Sequence, residues 1–458
     1  MASPERERPF IKNKDMAHNN THETEWKGYE KAIFQISFIY FLIQSVPLDW
    51  KYYKTVFSIQ WSQLNYHDLI NITRYYPQFI TPSAPEFGYV NWLIVLGIAA
   101  IVAAIWTFRN KERTDYDTLY YWLRVVLRYR LAFGVIGYGI IKLFPVQLPG
   151  PTLSDLNTPY GDYFTWKIFA LTTGISTAWY ESFLGLIEIV GGLLLLNRKT
   201  VTIGAGLLAA FLVNVVIVNF AYDIGDQVYS SYLLLIALAL LVYDTPRLFQ
   251  LLVLGKKTIA NKFHIVFTNQ QKSIRTVLRT AFLLFTLLFV GVTGYNYNKD
   301  AYIYPKTPGL KNAYGYYNVK EFSINGKPIP YSLTDPQRWQ NVVFEKWATI
   351  SVRTSRPLNV NISNGTSSSQ DDIDRKYELA GAGGRNYFNY GIDSVNQVLK
   401  LQNKNSTAEN WSLHYERPDE KTIILSGKNE KQDSVYIVLD KINKQYLQLK
   451  GRRKPLTL

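Results

Sequence analysis

Residues 201–221 read VTIGAGLLAAFLVNVVIVNFA, a stretch without a single charge and apolar on every side of a helical projection. Such a segment has no water-facing side. A helix that crosses a bilayer needs roughly 20 residues of this kind, because no water satisfies its backbone in lipid. Clean runs of the same type lie near 89–108, at 229–246 (YSSYLLLIALALLVYDTP) and at 277–295 (VLRTAFLLFTLLFVGVTGY). The segment 179–196 (WYESFLGLIEIVGGLLLL) is apolar but holds two carboxylates. Weaker segments lie near 31–47 and 120–145, the latter with Arg124, Arg128 and Arg130 in its first half. So many all-round apolar helices do not fit a soluble chain. The reading is an α-helical polytopic membrane protein of about seven spans.

Charge orients it. With the N-terminus cytoplasmic, the connections near 109–117, 197–200 and 246–276 carry Arg109, Lys111, Arg113, Arg198, Lys199, Arg247, Lys256, Lys257, Lys262, Lys272 and Arg275. The opposite connections hold only Lys51, Lys54, Arg74 and Lys167. That asymmetry follows the positive-inside rule and places the C-terminal portion outside the cytoplasm. It is the reverse of the receptor-type seven-helix topology. Arg124, Arg128 and Arg130 are expected as cytoplasmic-side anchors. The aromatic outer connection 48–88 is expected to form short helices on the membrane surface.

Composition shifts after Tyr295. The mean hydropathy of all 458 residues is near zero, but it averages an apolar half and a polar half. Strand-like runs appear at 316–325, 348–353, 357–363, 396–402, 411–416, 421–427, 434–440 and 445–450, clearest where Ile423, Leu425, Val435, Ile437 and Leu439 alternate. Regular short strands predict an all-β sandwich or small barrel. Gly326-Lys327 and Gly427-Lys428 are read as turns, and the stretches 364–372 and Gly381–Gly384 (GAGG) as flexible loops. The basic tail Lys450–Lys454 is read as a solvated end near an anionic membrane; outside the cytoplasm no nucleic-acid partner is expected.

Zero cysteine excludes disulfides, thiolate chemistry, Cys-ligated zinc and iron–sulfur clusters. None of the five histidines, at 18, 22, 67, 264 and 414, lies in a span, which excludes intramembrane bis-His haem and a His metal site there. No nucleophile elbow or nucleotide loop appears. The chemistry that remains sits on polar residues inside the spans, which are costly in lipid. Tyr138 and Lys142 share one helix face, as do Glu181 and Glu188 on the next, while Asn214 and Asn219 precede Tyr222 and Asp223 at an outer mouth. All fall in the outer half of the bilayer, with Lys142 roughly 5 Å and Glu188 roughly 15 Å deep at 1.5 Å rise per residue. Packed together they would make a polar, outward-facing pocket. The plainer readings are a snorkelling Lys142, a solvated Glu181, a structural Glu188–Lys142 or Glu188–Tyr138 contact, and asparagines acting as interhelical glue.

Three stretches, RYRLAFGVIGYGIIKLFPVQLP (128–149), WYESFLGLIEIVGGLLLLNRKTVTIGAGLL (179–208) and VNFAYDIGDQVYSSYLLLIALALLVYDTPRL (218–248), resemble the DoxX family of four-helix membrane proteins. The resemblance implies a DoxX-like bundle over 118–254, after a polar segment (1–28) and two helices with an aromatic loop (29–117). A basic loop and last span (255–296) and a β-rich domain (297–458) follow. It further implies Tyr138, Lys142, Glu188, Gly191, Gly192, Asn219, Tyr222 and Asp223 as site residues, and a bacterial inner-membrane location with the C-terminal domain periplasmic. The expected function is a binding or scaffold component. Its pocket would take a membrane lipid, a quinone or a similar amphiphile, and its β-domain would dock a periplasmic or membrane partner. A quinone-linked oxidoreductase subunit is the rival reading, and a proton-coupled transporter the third.

Overall fold

Several helices of the first half start on a polar side-chain cap. α1 (Gly28–Ser45) is followed by α2 (Trp50–Phe57), whose first turn is capped by Asp49 accepting from the Lys51 amide. α3 (Tyr66–Thr73) opens on a reciprocal box between Asn65 and Asp68. α4 (Val90–Arg109), α5 (Asp117–Leu143), the one-turn α6 (Leu153–Leu156), α7 (Thr165–Gly174), α8 (Trp179–Leu195) and α9 (Val201–Ala221) come next. α10 (Gln227–Val242), α11 (Thr245–Leu252) and α12 (Asn269–Lys299) complete this half. The structure, a computed structural model, describes residues 26–450 apart from 82–84, 111–114, 176–178, 259–264, 266, 300–302, 364, 366–370 and 407. Residues 1–25 of the segment expected at 1–28, most of the 364–372 loop and the tail beyond Lys450 lie outside the described residues.

Among the described residues, four stretches are helical, long and apolar enough to cross a membrane: Gly28–Phe57, Phe87–Arg109, Val201–Ala221 and Asn269–Lys299. Two bent pairs, α7–α8 and α10–α11 (72° at the break), bring the number to six if each is one span. Their outward faces expose large apolar side chains, among them Ile101 and Ile105, Ile217 and Phe220, and Leu284 and Leu287. The seventh expected span, 120–145, is α5, and its charges keep it outside this set. It is the central helix, with α1, α3, α8, α10 and α12 packed around it. Closest is α8, because Gly139 and Gly185 face each other at the crossing. A Cβ on Gly185 would stand 2.4 Å from the Gly139 carbonyl oxygen.

The three arginines of α5 are not all surface anchors, which corrects the expectation. Arg130 is buried and donates to the Thr73 carbonyl (2.9 Å), the Tyr75 carbonyl and the Tyr232 hydroxyl (3.1 Å). Arg128, also buried, donates to the Leu195 carbonyl at 2.8 Å. Both supply donors to carbonyls at helix C-termini, which have no partner within their own helix. Arg124 lies 3.7 Å from Asp244 and stacks 3.6 Å from the Tyr243 ring. The 48–88 connection does hold two short helices, but α3 turns Leu69 and Ile72 into the core.

The second half is an eight-stranded antiparallel barrel. β1 (Gly315–Ile324) pairs with the two-residue β2 (Lys327–Pro328) and with β3 (Asn341–Phe344). The chain then runs in order through β4 (Thr349–Arg353), β5 (Asn386–Asp393), β6 (Val398–Asn403), β7 (Asn410–Glu416), β8 (Thr422–Lys428) and β9 (Ser434–Ile442), each antiparallel to the last. Pairing of β1 with β9 closes the circle, so of the two expected forms the barrel is correct and the sandwich is not. Eight strands enclose a space that side chains fill. Tyr317, Phe344, Trp339, Phe388, Leu413, Leu425 and Ile437 pack in one buried cluster. Other expectations need correction. Residues 357–363 form no strand, 445–450 ends in a single helical turn, and Gly427-Lys428 lies within β8. β3 and β5 were not anticipated, the latter because NYFNYGID carries turn-forming Asn and Gly.

Candidate functional site

Lys142 in the last turn of α5 meets Glu188 in the middle of α8. Its ammonium lies 2.7 and 2.8 Å from the two carboxylate oxygens, and Glu188 is 3% exposed. The close crossing at Gly139 and Gly185 makes this contact reachable, since it sets the two helices side by side one turn away. Lys142 also stands 5.5 Å from the ring of Tyr138. Tyr138 donates to Asp226 at 3.1 Å, and Asp226 accepts from Arg74 at 2.7 Å. A line of polar groups, Glu188–Lys142–Tyr138–Asp226–Arg74, therefore joins α8, α5, the start of α10 and the end of α3. Tyr76, Tyr138 and Tyr232 surround Tyr229 with ring centroids 5.7 to 5.9 Å away, and Arg74 stands 5.4 Å from the Tyr229 ring.

The other expected residues divide. Glu181 is buried and accepts from the Leu148 amide at 3.1 Å through one oxygen. Asn219 donates to Ser230 at 3.2 Å and to the Val215 carbonyl, an interhelical tie between α9 and α10. Asn214 is exposed on α9. Tyr222 is half exposed against Phe169, and Asp223 is exposed in a left-handed turn (φ 51°). Neither joins the cluster. Gly191 and Gly192 serve close packing: a Cβ there would stand 2.6 Å from Leu208 and from Ile136. Arg74 and Asp226 were missed. Arg74 reads as an ordinary loop charge, and the signal for Asp226 was its place directly before the helical run of α10, a capping position that an acid occupies. Among the described residues no group of three His, Asp or Glu side chains could hold a metal ion.

A second polar cluster lies where the barrel meets the connection between α5 and α8. Thr152 and Asp155 box the start of α6, which leaves the buried amide of Ser154 turned toward the barrel. Glu345, just after β3, accepts from the Ser154 amide (2.7 Å) and hydroxyl (2.6 Å). Burial pushes the Glu345 carboxyl up to about 7. The Ser154 bonds act against the rise, and Glu378 and Asp155 add to it. Arg385 donates to Ser351, Asn341 and the Asn157 carbonyl, and Glu378 pairs with Lys404 in full burial. Lys167 of α7 is wholly buried, donating to the Tyr377 carbonyl at 2.6 Å. The GAGG run, read as a flexible loop, is a docking element. Phe164 donates its amide to Gly381, Gly383 donates to Asp162, and a Cβ on Gly381 would meet Trp166 at 2.5 Å.

No protein-family model matches the chain, and no solved structure does. It is similar to the uncharacterized protein YwoB of Bacillus subtilis (strain 168), with 35% identity over 116 residues. That match spans 25% of this chain and 71% of the relative.

Proposed function

This chain belongs to the family of YwoB, whose members inherit no activity from that uncharacterized relative, and we propose from its geometry that it is a membrane-embedded binding and scaffold protein for an amphiphile. The observation that carries the reading is the buried Lys142–Glu188 pair and the line of groups behind it. Charges within the apolar part of a bundle are costly and mark sites that handle polar groups. In this reading α5 and the six apolar elements make seven spans, the N-terminus is cytoplasmic, and the barrel stands in the periplasm of a bacterial inner membrane. The polar line then faces the outer leaflet, where a lipid head group would reach it, and the barrel offers a surface to a periplasmic or membrane partner. We further propose that the bundle is DoxX-like, on the motifs within 128–149, 179–208 and 218–248.

A quinone-linked subunit fits less well. It needs Lys142 or Tyr138 to donate to a quinone carbonyl; Tyr138 already donates to Asp226, and Glu188 takes two of the three Lys142 donors, leaving one.

The test separates ligand binding from structure. Lys142→Ala alone should destabilise by about 3–5 kcal/mol, because it strands a buried carboxylate. The swap Lys142→Glu with Glu188→Lys should recover most of that stability in thermal unfolding. Amphiphile that co-purifies with the wild type, weighed by lipid mass spectrometry, should be lost in the swap. Retention of the same amphiphile by the swapped protein would remove the pocket reading and leave a structural ion pair.

A further inference from the structure

α11 is a helix without an inward face. None of its residues is buried, and Phe249 and Leu252 stand 53% and 74% exposed. Its spacing sorts the side chains all the same. Leu248, Phe249 and Leu252 fall on one side, Arg247 and Gln250 on the other. The exposed apolar run goes on through Val253 and Leu254 to Gly255, whose left-handed φ of 61° ends the helix. The Lys256 amide then folds back onto the Gln250 carbonyl at 3.0 Å, which holds Lys256 and Lys257 at the end of the helix. Both lysines are exposed, and residues 245–258 contain no Asp or Glu.

The bundle fixes how this helix lies. α10 and α11 meet at a bend of 72°, close to a right angle. Asp244 at the bend is buried, accepts from Thr202 at the start of α9 (2.7 Å) and lies 3.7 Å from Arg124 near the start of α5. The other end of α5 leads into the barrel junction, so α11 projects from the end of the bundle away from the barrel. There it continues the outward apolar surface of α9 and α10, where Ile203, Leu238 and Val242 are exposed. An apolar side set across the direction of the spans, with cations and no anions beside it, matches the head-group zone of a bilayer. Hydrocarbon would lie under Phe249 and Leu252, and phosphates at the lysines. We infer that α11 lies in the plane of the membrane and binds anionic phospholipid through Lys256 and Lys257. The inference goes beyond the amphiphile pocket and rests only on the reading that the bundle spans a membrane.

The chain lacks cysteine, so a nitroxide can be attached at one chosen position of the full protein. Single variants Phe249→Cys, Gln250→Cys and Leu252→Cys, with Ile217→Cys on the outward face of α9 as the reference, are labelled and reconstituted in vesicles of equimolar phosphatidylcholine and phosphatidylglycerol. Collisions are measured with oxygen, which concentrates in lipid, and with a nickel chelate, which stays in water. Labels at positions 249 and 252 should favour oxygen as the reference does, and the label at 250 should favour the chelate. Chelate contact at all three α11 positions, oxygen at all three, or protection from both reagents would each overturn the inference, because the helix would then be solvated, spanning or covered by protein. Lys256→Gln combined with Lys257→Gln should lower the phosphatidylglycerol retained on extraction, counted by native mass spectrometry, about tenfold or more, and added salt should weaken retention by the wild type. Unchanged retention in that double variant would equally overturn it. Failure is separable from that of the membrane reading. A reference label that meets only chelate takes the bundle out of the membrane, whereas lipid at 217 with water at 249 and 252 removes α11 alone.

Discussion

Glu345 shows how one side chain makes the docking of the two halves depend on pH. Its carboxyl is pushed up to about 7 in the folded chain against an ordinary 4.5. Between these values the folded state holds a proton that the unfolded state has released. The stability it contributes is therefore fully present below about pH 4.5 and is lost as pH rises through about 7, a change on the order of 3 kcal/mol. Glu345→Gln stays neutral and keeps an acceptor for Ser154. The gap between wild-type and variant unfolding midpoints should therefore open between pH 5 and 8, with the wild type the weaker at the alkaline end. A gap that does not move with pH would show that Glu345 is not the titrating group. At this scale the sequence was readable only in part. Lys142 and Glu188 stood out because a charge in an apolar run is conspicuous. Glu345, Arg385 and Lys167 did not, because a charge in a polar segment is ordinary until tertiary packing buries it.

Helix spacing, unlike side-chain partners, could be read directly. The apolar runs at 89–108, 201–221 and 277–295 became α4, α9 and α12, since long uninterrupted periodicity leaves little choice of structure. What the pattern could not give was the order of packing. α5 looked like the poorest span and is the hub, because its arginines satisfy neighbouring helix ends instead of meeting lipid. The crossing of α5 and α8 brings backbone against backbone. Gly185→Val places side-chain atoms against the Gly139 carbonyl and the Leu143 amide and should force the helices apart. We expect a loss of about 3 kcal/mol or more in thermal unfolding and loss of the Lys142–Glu188 contact. Gly206→Ala, where a Cβ meets nothing within 4 Å, should change stability by less than about 1 kcal/mol. Equal effects from the two would mean that the crossing is not close in solution.

At the scale of the molecule, the two halves are joined by backbone bonds and buried polar groups, so the GAGG run decides whether they act as one body. Gly381 has a φ of 68° and lies against Trp166, so Gly381→Ala meets both a backbone and a steric penalty. Limited proteolysis should cut this variant within 146–178 at least several times faster than the wild type, while the barrel remains resistant. Unchanged cutting would show that docking does not depend on the glycine. Composition alone marked that run as a flexible loop, and only the fold reveals what it packs against. The barrel carries one more consequence. With β1 bonded to β9, each of its eight strands has neighbours on both sides, and among the described residues only the two-residue β2 ends a ladder. A partner therefore cannot recognise this domain by adding a strand of its own, the common route by which extended peptides bind sheets. Recognition of the barrel must rest on side chains and loop ends, which makes it selective for surface chemistry and closed to the edge-to-edge self-association that open sheets invite.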